Sequence, residues 1–153
     1  MSAGRTFVRA PGRAELRWRP SSLDVPVSVR SALGWEGGAW SATVAAELRS
    51  GYPITVPVAR YRLADPTAPE PTTYLYRPQV NNGRLPPYLR VDLTVSYGFQ
   101  FLSSDWTATL DLFNATNRDN ILDQTYQPTN TGVKVNRQRG LPILPLLELE
   151  MEL

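Results

Sequence analysis

From Leu89 to Phe101 every second residue is apolar: Leu89, Val91, Leu93, Val95, Tyr97, Phe99 and Phe101 alternate with Arg90, Asp92, Thr94, Ser96, Gly98 and Gln100. A period of two predicts a β-strand with one apolar and one wet face. Soluble strands run about 5–6 residues, and this pattern persists over more than twice that. The turn Leu102-Ser103-Ser104-Asp105 follows, and the return strand sets Trp106, Ala108, Leu110 and Leu112 against Thr107, Thr109 and Asp111.

A second hairpin precedes it. Val25, Val27, Val29, Leu33 and Trp35 alternate with Pro26, Ser28, Arg30, Ala32 and Gly34. After the turn Glu36-Gly37-Gly38-Ala39, Trp40, Ala42, Val44, Ala46 and Leu48 alternate with Ser41, Thr43, Ala45, Glu47 and Arg49. At the carboxyl end Ile143, Leu147, Leu149, Met151 and Leu153 alternate with Glu148, Glu150 and Glu152. These five strands are joined by a sixth at Ala14–Arg19, with weaker signals near Phe7 and at Leu122 to Tyr126. Nothing has a helical period.

The connections alternate in length. The turns at 36–39 and 102–105 are minimal, whereas 51–87 and 117–142 are long. Segment 51–87 holds eight of the 14 prolines, which predicts an irregular loop without a regular hydrogen-bond ladder.

Composition narrows the chemistry. Cysteine and histidine are absent, which removes thiol nucleophiles and histidine-based acid–base catalysis. The 16 basic residues are scattered among 14 acids with a net charge of +2, so no basic stripe tracks nucleic acid. No run approaches the ~18 apolar residues of a spanning helix. The amino terminus has no apolar core of a signal peptide. No cofactor or metal motif and no nucleophile–base arrangement is visible, so the chain does not read as an enzyme. Asp105 is a turn residue, and Asp111 and the terminal glutamates lie on polar strand faces. Asn114, Asn117, Asp119, Asn120 and Asp123 offer oxygens without the spacing of a calcium loop and read as turn-forming residues. Asn114-Ala115-Thr116 matches a glycosylation acceptor by chance.

Alternating strands suit either a soluble sandwich, apolar faces packed together, or an outer-membrane barrel, apolar faces on lipid and polar faces on a wet lumen. Four features select the barrel. Spans 25–35, 39–49 and 89–101 reach the ~9–11 residues needed to cross a bilayer. Trp35, Trp40, Phe99, Phe101 and Trp106 flank the short turns as one interfacial aromatic belt, and Tyr52, Tyr88 and Phe113 sit where a second belt belongs. The inward set is charged. Short turns opposite long loops match periplasmic turns and extracellular loops. The expected fold is an all-β, antiparallel transmembrane β-barrel, with about six to eight strands of a larger barrel in a single segment, 1–153.

The runs Asn82-Gly83-Arg84-Leu85-Pro86-Pro87-Tyr88-Leu89-Arg90-Val91-Asp92-Leu93, Leu110-Asp111-Leu112-Phe113-Asn114-Ala115-Thr116-Asn117-Arg118 and Leu141-Pro142-Ile143-Leu144-Pro145, with Arg49-Ser50-Gly51-Tyr52-Pro53-Ile54-Thr55, carry a resemblance. In this order, over about residues 25–153, they resemble the carboxyl end of TonB-dependent outer-membrane receptors. The resemblance implies a plugged barrel of some 22 strands that takes up a scarce ligand such as a siderophore, vitamin or glycan. It implies as partners outer-membrane lipid, upstream barrel strands and a plug domain, an inner-membrane energy-transducing complex, and the barrel-assembly machinery. Leu149, Met151 and Leu153 would form the terminal-strand insertion signal, ending in leucine where the family usually has an aromatic. No plug, signal peptide or energy-coupling box is present, so the chain is expected to be a carboxyl-terminal portion. Tyr74, Tyr76 and Arg77 in the first long loop are the candidate ligand contacts. The alternatives are a small independent barrel or surface adhesin without energised transport, and a soluble β-sandwich binding module for carbohydrate.

Overall fold

The computed structural model describes residues 2–3, 7–9, 18–64, 71–129 and 131–152. Among them the fold is all-β: β1 Ser2–Ala3, β2 Phe7–Arg9, β3 Trp18–Pro20, β4 Val27–Gly37, β5 Trp40–Arg49, β6 Pro53–Ile54 and β7 Ala59–Leu63. There follow β8 Thr72–Tyr76, β9 Gly83–Arg84, β10 Tyr88–Phe101, β11 Ser104–Phe113, β12 Ile121–Pro128, β13 Val133–Arg139 and β14 Leu144–Glu152. Among the described residues no helix is long and apolar enough to cross a membrane.

One six-stranded antiparallel sheet, in the order β1-β4-β5-β10-β11-β14, forms the body. No closed barrel forms among the described residues. The sheet ends at β14 on one side and at β4, with its two-residue neighbour β1, on the other. The expected strand at Ala14–Arg19 is described only at Trp18 and Arg19, within β3; Ala14–Arg17 lie outside the described residues. The weak signal at Phe7 corresponds to β2.

The register keeps the alternation intact across the sheet. Leu33 faces Val44, Val44 faces Leu93, and Leu93 faces Leu112. Beside them run Val95, Leu110 and Leu147. A slip of one residue would reverse every side chain, so these pairings gather the large apolar residues on one face. Nothing covers that face among the described residues. Leu33 is 79% exposed and Leu147 81%, with Val44, Leu48, Leu110 and Leu149 also exposed. The only buried hydrophobic residue described is Leu85, 5% exposed.

Both short turns are tighter than their sequence boundaries. Gly37 pairs with Trp40, leaving Gly38 and Ala39 in the turn, with Gly38 at φ 59°. Phe101 pairs with Ser104, leaving Leu102 and Ser103 at φ 52° and 64°. Positive φ at both central residues is the type I′ geometry that matches strand twist, and it is unusual without Asn or Gly.

The two long connections correct the sequence reading. Segment 51–87 is not wholly irregular among the described residues: β6 pairs with β9, and β7 with β8 in a hairpin. Pro53 opens β6, and the other described prolines of this segment lie outside the strands. Pro57 lies between β6 and β7, Pro71 just before β8 and Pro78 after it, while β7 and β8 contain none. Segment 117–142 contains the β12–β13 hairpin. The signal at Leu122 to Tyr126 is β12. Its partner β13, Val-Lys-Val-Asn-Arg-Gln-Arg, is too polar to announce itself by alternation.

At the base of these loops two backbones approach so closely that only glycine fits. A Cβ at Gly51 would fall 1.9 Å from the Leu85 carbonyl oxygen. Gly51→Ala is expected to cost about 3 kcal/mol, from a steric clash that backbone cannot relieve cheaply. Gly38→Ala, with open space around it, is expected to cost about 1 kcal/mol from its φ alone. Urea unfolding in detergent micelles compares the two, and equal costs would remove the close approach as the cause.

Candidate functional site

The face opposite the apolar one is a polar wall built by the same register. Ladder positions bring Arg30 opposite Glu47 and Glu47 opposite Arg90. Arg30 Nη2 donates to Glu47 Oε1 at 3.2 Å, and Arg49 Nε lies 3.8 Å from the same oxygen. Arg90 Nε lies 2.9 Å from Asp92 Oδ2 without the alignment of a hydrogen bond. The other Asp92 oxygen accepts the Asn114 N–H at 3.0 Å. Further along, the Thr94 hydroxyl donates to Asp111, and the Ser96 and Thr109 hydroxyls stand 2.9 Å apart. A groove of ≈ 670 Å³ runs between Arg30, Glu47, Arg90 and Asp92 over a floor of Ala32 and Ala45.

Tyr52, Tyr88 and Phe113 belong to this polar side, which corrects their assignment to a second aromatic belt. The Arg49 guanidinium lies 4.9 Å from the Tyr52 ring and 4.3 Å from Tyr88. Arg90 lies 4.5 Å from Phe113. Their place near the strand ends suggested a belt, but parity decides the face: Tyr88 is opposite Arg49, and Phe113 is two residues from Asp111. The rings hold the guanidinia by cation–π contact.

The belt residues around the short turns lie on the apolar face, except that their clustering depends on one residue outside the expected set. Tyr97 sits 4.5 Å from Trp40 and 5.9 Å from Phe99, and Phe99 6.4 Å from Trp106, centroid to centroid. Tyr97 shares parity with Phe99, so alternation alone could have included it. Trp106 also donates its indole N–H to the Phe101 carbonyl at 3.2 Å. The Trp35 ring lies over Gly37. Of the terminal-strand residues, Leu149 and Met151 occupy apolar positions opposite Ala108 and Trp106; Leu153 lies outside the described residues.

The loop end holds the buried polar residues. Arg84 binds Asp24 through its carboxylate and backbone carbonyl, and the Gly51 carbonyl, each at 2.7 Å. Asp24 is 1% exposed. Asn114, also 1% exposed, donates its amide to the Arg118 and Leu141 carbonyls at 3.0 Å and accepts from the Arg118 N–H at 3.2 Å. Asn120 pairs with both backbone groups of Leu89, at 2.7 and 3.0 Å. It thus serves as a strand partner where β11 no longer pairs with β10. Asn114 and Asn117 adopt positive φ, 50° and 49°, which asparagine tolerates well.

Tyr74, Tyr76 and Arg77 are not brought together on one surface. Tyr74 stacks on its cross-strand partner Tyr61 at 5.6 Å, and Tyr76 is exposed on the same hairpin face. Arg77 instead donates to the Tyr126 carbonyl at 3.4 Å, tying the β7–β8 hairpin to β12. A groove of ≈ 350 Å³ lies there, lined by Arg77, Asn81, Asp123, Gln124 and Tyr126. Among the described residues no group of three Asp or Glu side chains is arranged to hold a metal ion.

No family model, curated protein or solved structure matches this chain.

Asn114→Ala is expected to cost about 3 kcal/mol, since it leaves buried backbone groups without partners. Arg139→Ala removes an exposed pair with Asp119 and is expected to cost about 0.5 kcal/mol. Hydrogen exchange should accelerate through β12 and β13 only in the first variant.

Proposed function

We propose that the chain is a wall segment of an outer-membrane β-barrel, the carboxyl-terminal portion of a TonB-dependent receptor that takes up a scarce ligand. The observation that carries this reading is the six-stranded sheet whose apolar face is uncovered while its opposite face is ordered by ion pairs. In a sandwich that apolar face requires a second sheet, and none is described. In a bilayer it requires only lipid, and the charged face lines a hydrated lumen. β4, β5, β10 and β11 have 11, 10, 14 and 10 residues, long enough for a tilted strand to cross.

The motifs that carry the family resemblance supply the loop-end contacts. Asn82 hydrogen-bonds both backbone groups of Val56, Arg84 joins Asp24 to Gly51, Leu85 is buried, and Asn114 joins its own turn at Arg118 to the Leu141 segment. Such residues fix where strands leave the sheet and loops begin. In the receptor reading, the wall's role is passive: it shapes the lumen and carries the loops that meet the ligand outside. Lipid, upstream strands, a plug and an inner-membrane energy-transducing complex are its partners there.

Reconstitution into phospholipid vesicles tests the lipid-facing assignment. The refolded chain should float with vesicles in a density gradient. Val44→Arg, at mid-strand on the apolar face, should cost about 2–4 kcal/mol of stability in lipid. Thr43→Arg, on the polar face, should change it by no more than about 0.5 kcal/mol. A chain that stays monomeric in buffer and does not float, or that tolerates both substitutions equally in vesicles, is not a membrane wall.

A further inference from the structure

β14 has one paired and one free edge among the described residues: β11 occupies the first, and no strand lies on the second. We propose that this free edge seats an antiparallel strand whose polar face is basic. The backbone of β14 leaves a row of donors and acceptors that only another strand can satisfy regularly. Its side chains then specify what that strand carries.

On the polar face stand Glu148, Glu150 and Glu152, at the end of a parity that begins with Leu144 and Leu146. Across the paired edge they meet Thr109, Thr107 and Asp105. Glu152 is therefore directly opposite another carboxylate, an arrangement that is unfavourable by itself. None of the three has an ion pair among the described residues. They are spaced about 7 Å apart along the strand, a row and not a cage, and they do not converge on a point as metal ligands do. A row of anions beside an unpaired backbone fits a row of cations at the same spacing.

The opposite face of β14 presents Leu147, Leu149 and Met151, all exposed. The incoming strand is thus apolar on that side and carries arginine or lysine at the alternate positions that meet Glu148, Glu150 and Glu152 on the other. A second copy of this chain does not meet the specification. Full-length antiparallel pairing of β14 with itself sets Glu148 against Glu148, and Glu150 and Glu152 against Leu146 and Leu144, so no carboxylate gains a cation. The free edge of β4 offers Arg30 but also Glu36, and it runs parallel to β14 when the polar faces are kept on one side. The edge and its carboxylates define the partner whether or not the apolar face meets lipid, so this inference and the barrel reading can fail separately.

Two fluorescent peptides, matched to β14 in length and alternating valine with either arginine or glutamate, test it against the full chain in detergent micelles. The arginine peptide should bind, weaken with salt and slow amide exchange in β14. Glu148→Gln, Glu150→Gln and Glu152→Gln combined should weaken it by at least about tenfold. The corresponding lysine substitutions should reverse the preference toward the glutamate peptide. Far-UV dichroism checks that each variant keeps its sheet; if the lysine variant does not, the glutamine variant decides. Equal binding of both peptides, insensitivity to the glutamine substitutions, or protection confined to other strands would overturn the proposal.

Discussion

The six-stranded sheet has no core, and the rest of the molecule is arranged around that constraint. Its register gathers Leu33, Val44, Leu93, Val95, Leu110 and Leu147 on one side, where no second sheet covers them among the described residues. Apolar burial is normally the dominant favourable contribution to folding. Here, among the described residues, Leu85 is the only large hydrophobic side chain that is fully buried, and residues such as Leu93 and Val95 are half-buried. The backbone ladders still join the strands, but the apolar face gains its free energy only when something other than this chain covers it. In the barrel reading proposed above, lipid does that without specific contacts, and such a face needs large apolar residues but no interlocking shapes.

Order that a core would supply comes instead from polar contacts at two levels. Along the wall, guanidinia are held between carboxylates and aromatic rings, as with Arg90 between Asp92 and Phe113. At the loop end, Asp24, Asn114 and Asn120 are buried and hydrogen-bonded. Buried polar groups are costly when unpaired and specific when fully paired, so these three fix the exit geometry of the loops more sharply than apolar contacts could. Gly51 contributes by its lack of a side chain, letting the Arg84–Leu85 segment approach. The strand pairs β7–β8 and β12–β13 are then joined through Arg77.

The main sheet was legible because its strands alternate strictly; β10 matches the run from Leu89 to Phe101 almost residue for residue. The loop hairpins were hidden for two different reasons. In 51–87 the prolines masked two short strands that lie between them. In 133–139 both faces are polar, so there is no contrast for a period of two to show. Tyr88 and Phe113 were misassigned although the needed signal was present: distance along a strand suggests membrane depth, but only parity gives the face. Asn114 and Asn120 were recognised as turn formers. Their burial was not legible, because it depends on Leu89 and Leu141 arriving from separate parts of the chain.

A sheet that places one face in lipid also cannot end in lipid, and the same constraint therefore governs its faces and its edges. On the face, contact with hydrocarbon removes the need for a protein partner. At the edge it does the reverse, because each unpaired backbone group loses water and gains nothing in return. In the proposed barrel the wall is complete across its thickness, and its edges need partners. β14 makes this sharper than backbone alone requires: three carboxylates on its polar parity constrain which strand can join, whereas Leu147 and Leu149 on the other side accept almost any apolar neighbour. Specificity of pairing in that reading resides in the wet face, where water still allows charge to discriminate between partners, and the apolar side contributes affinity without choice.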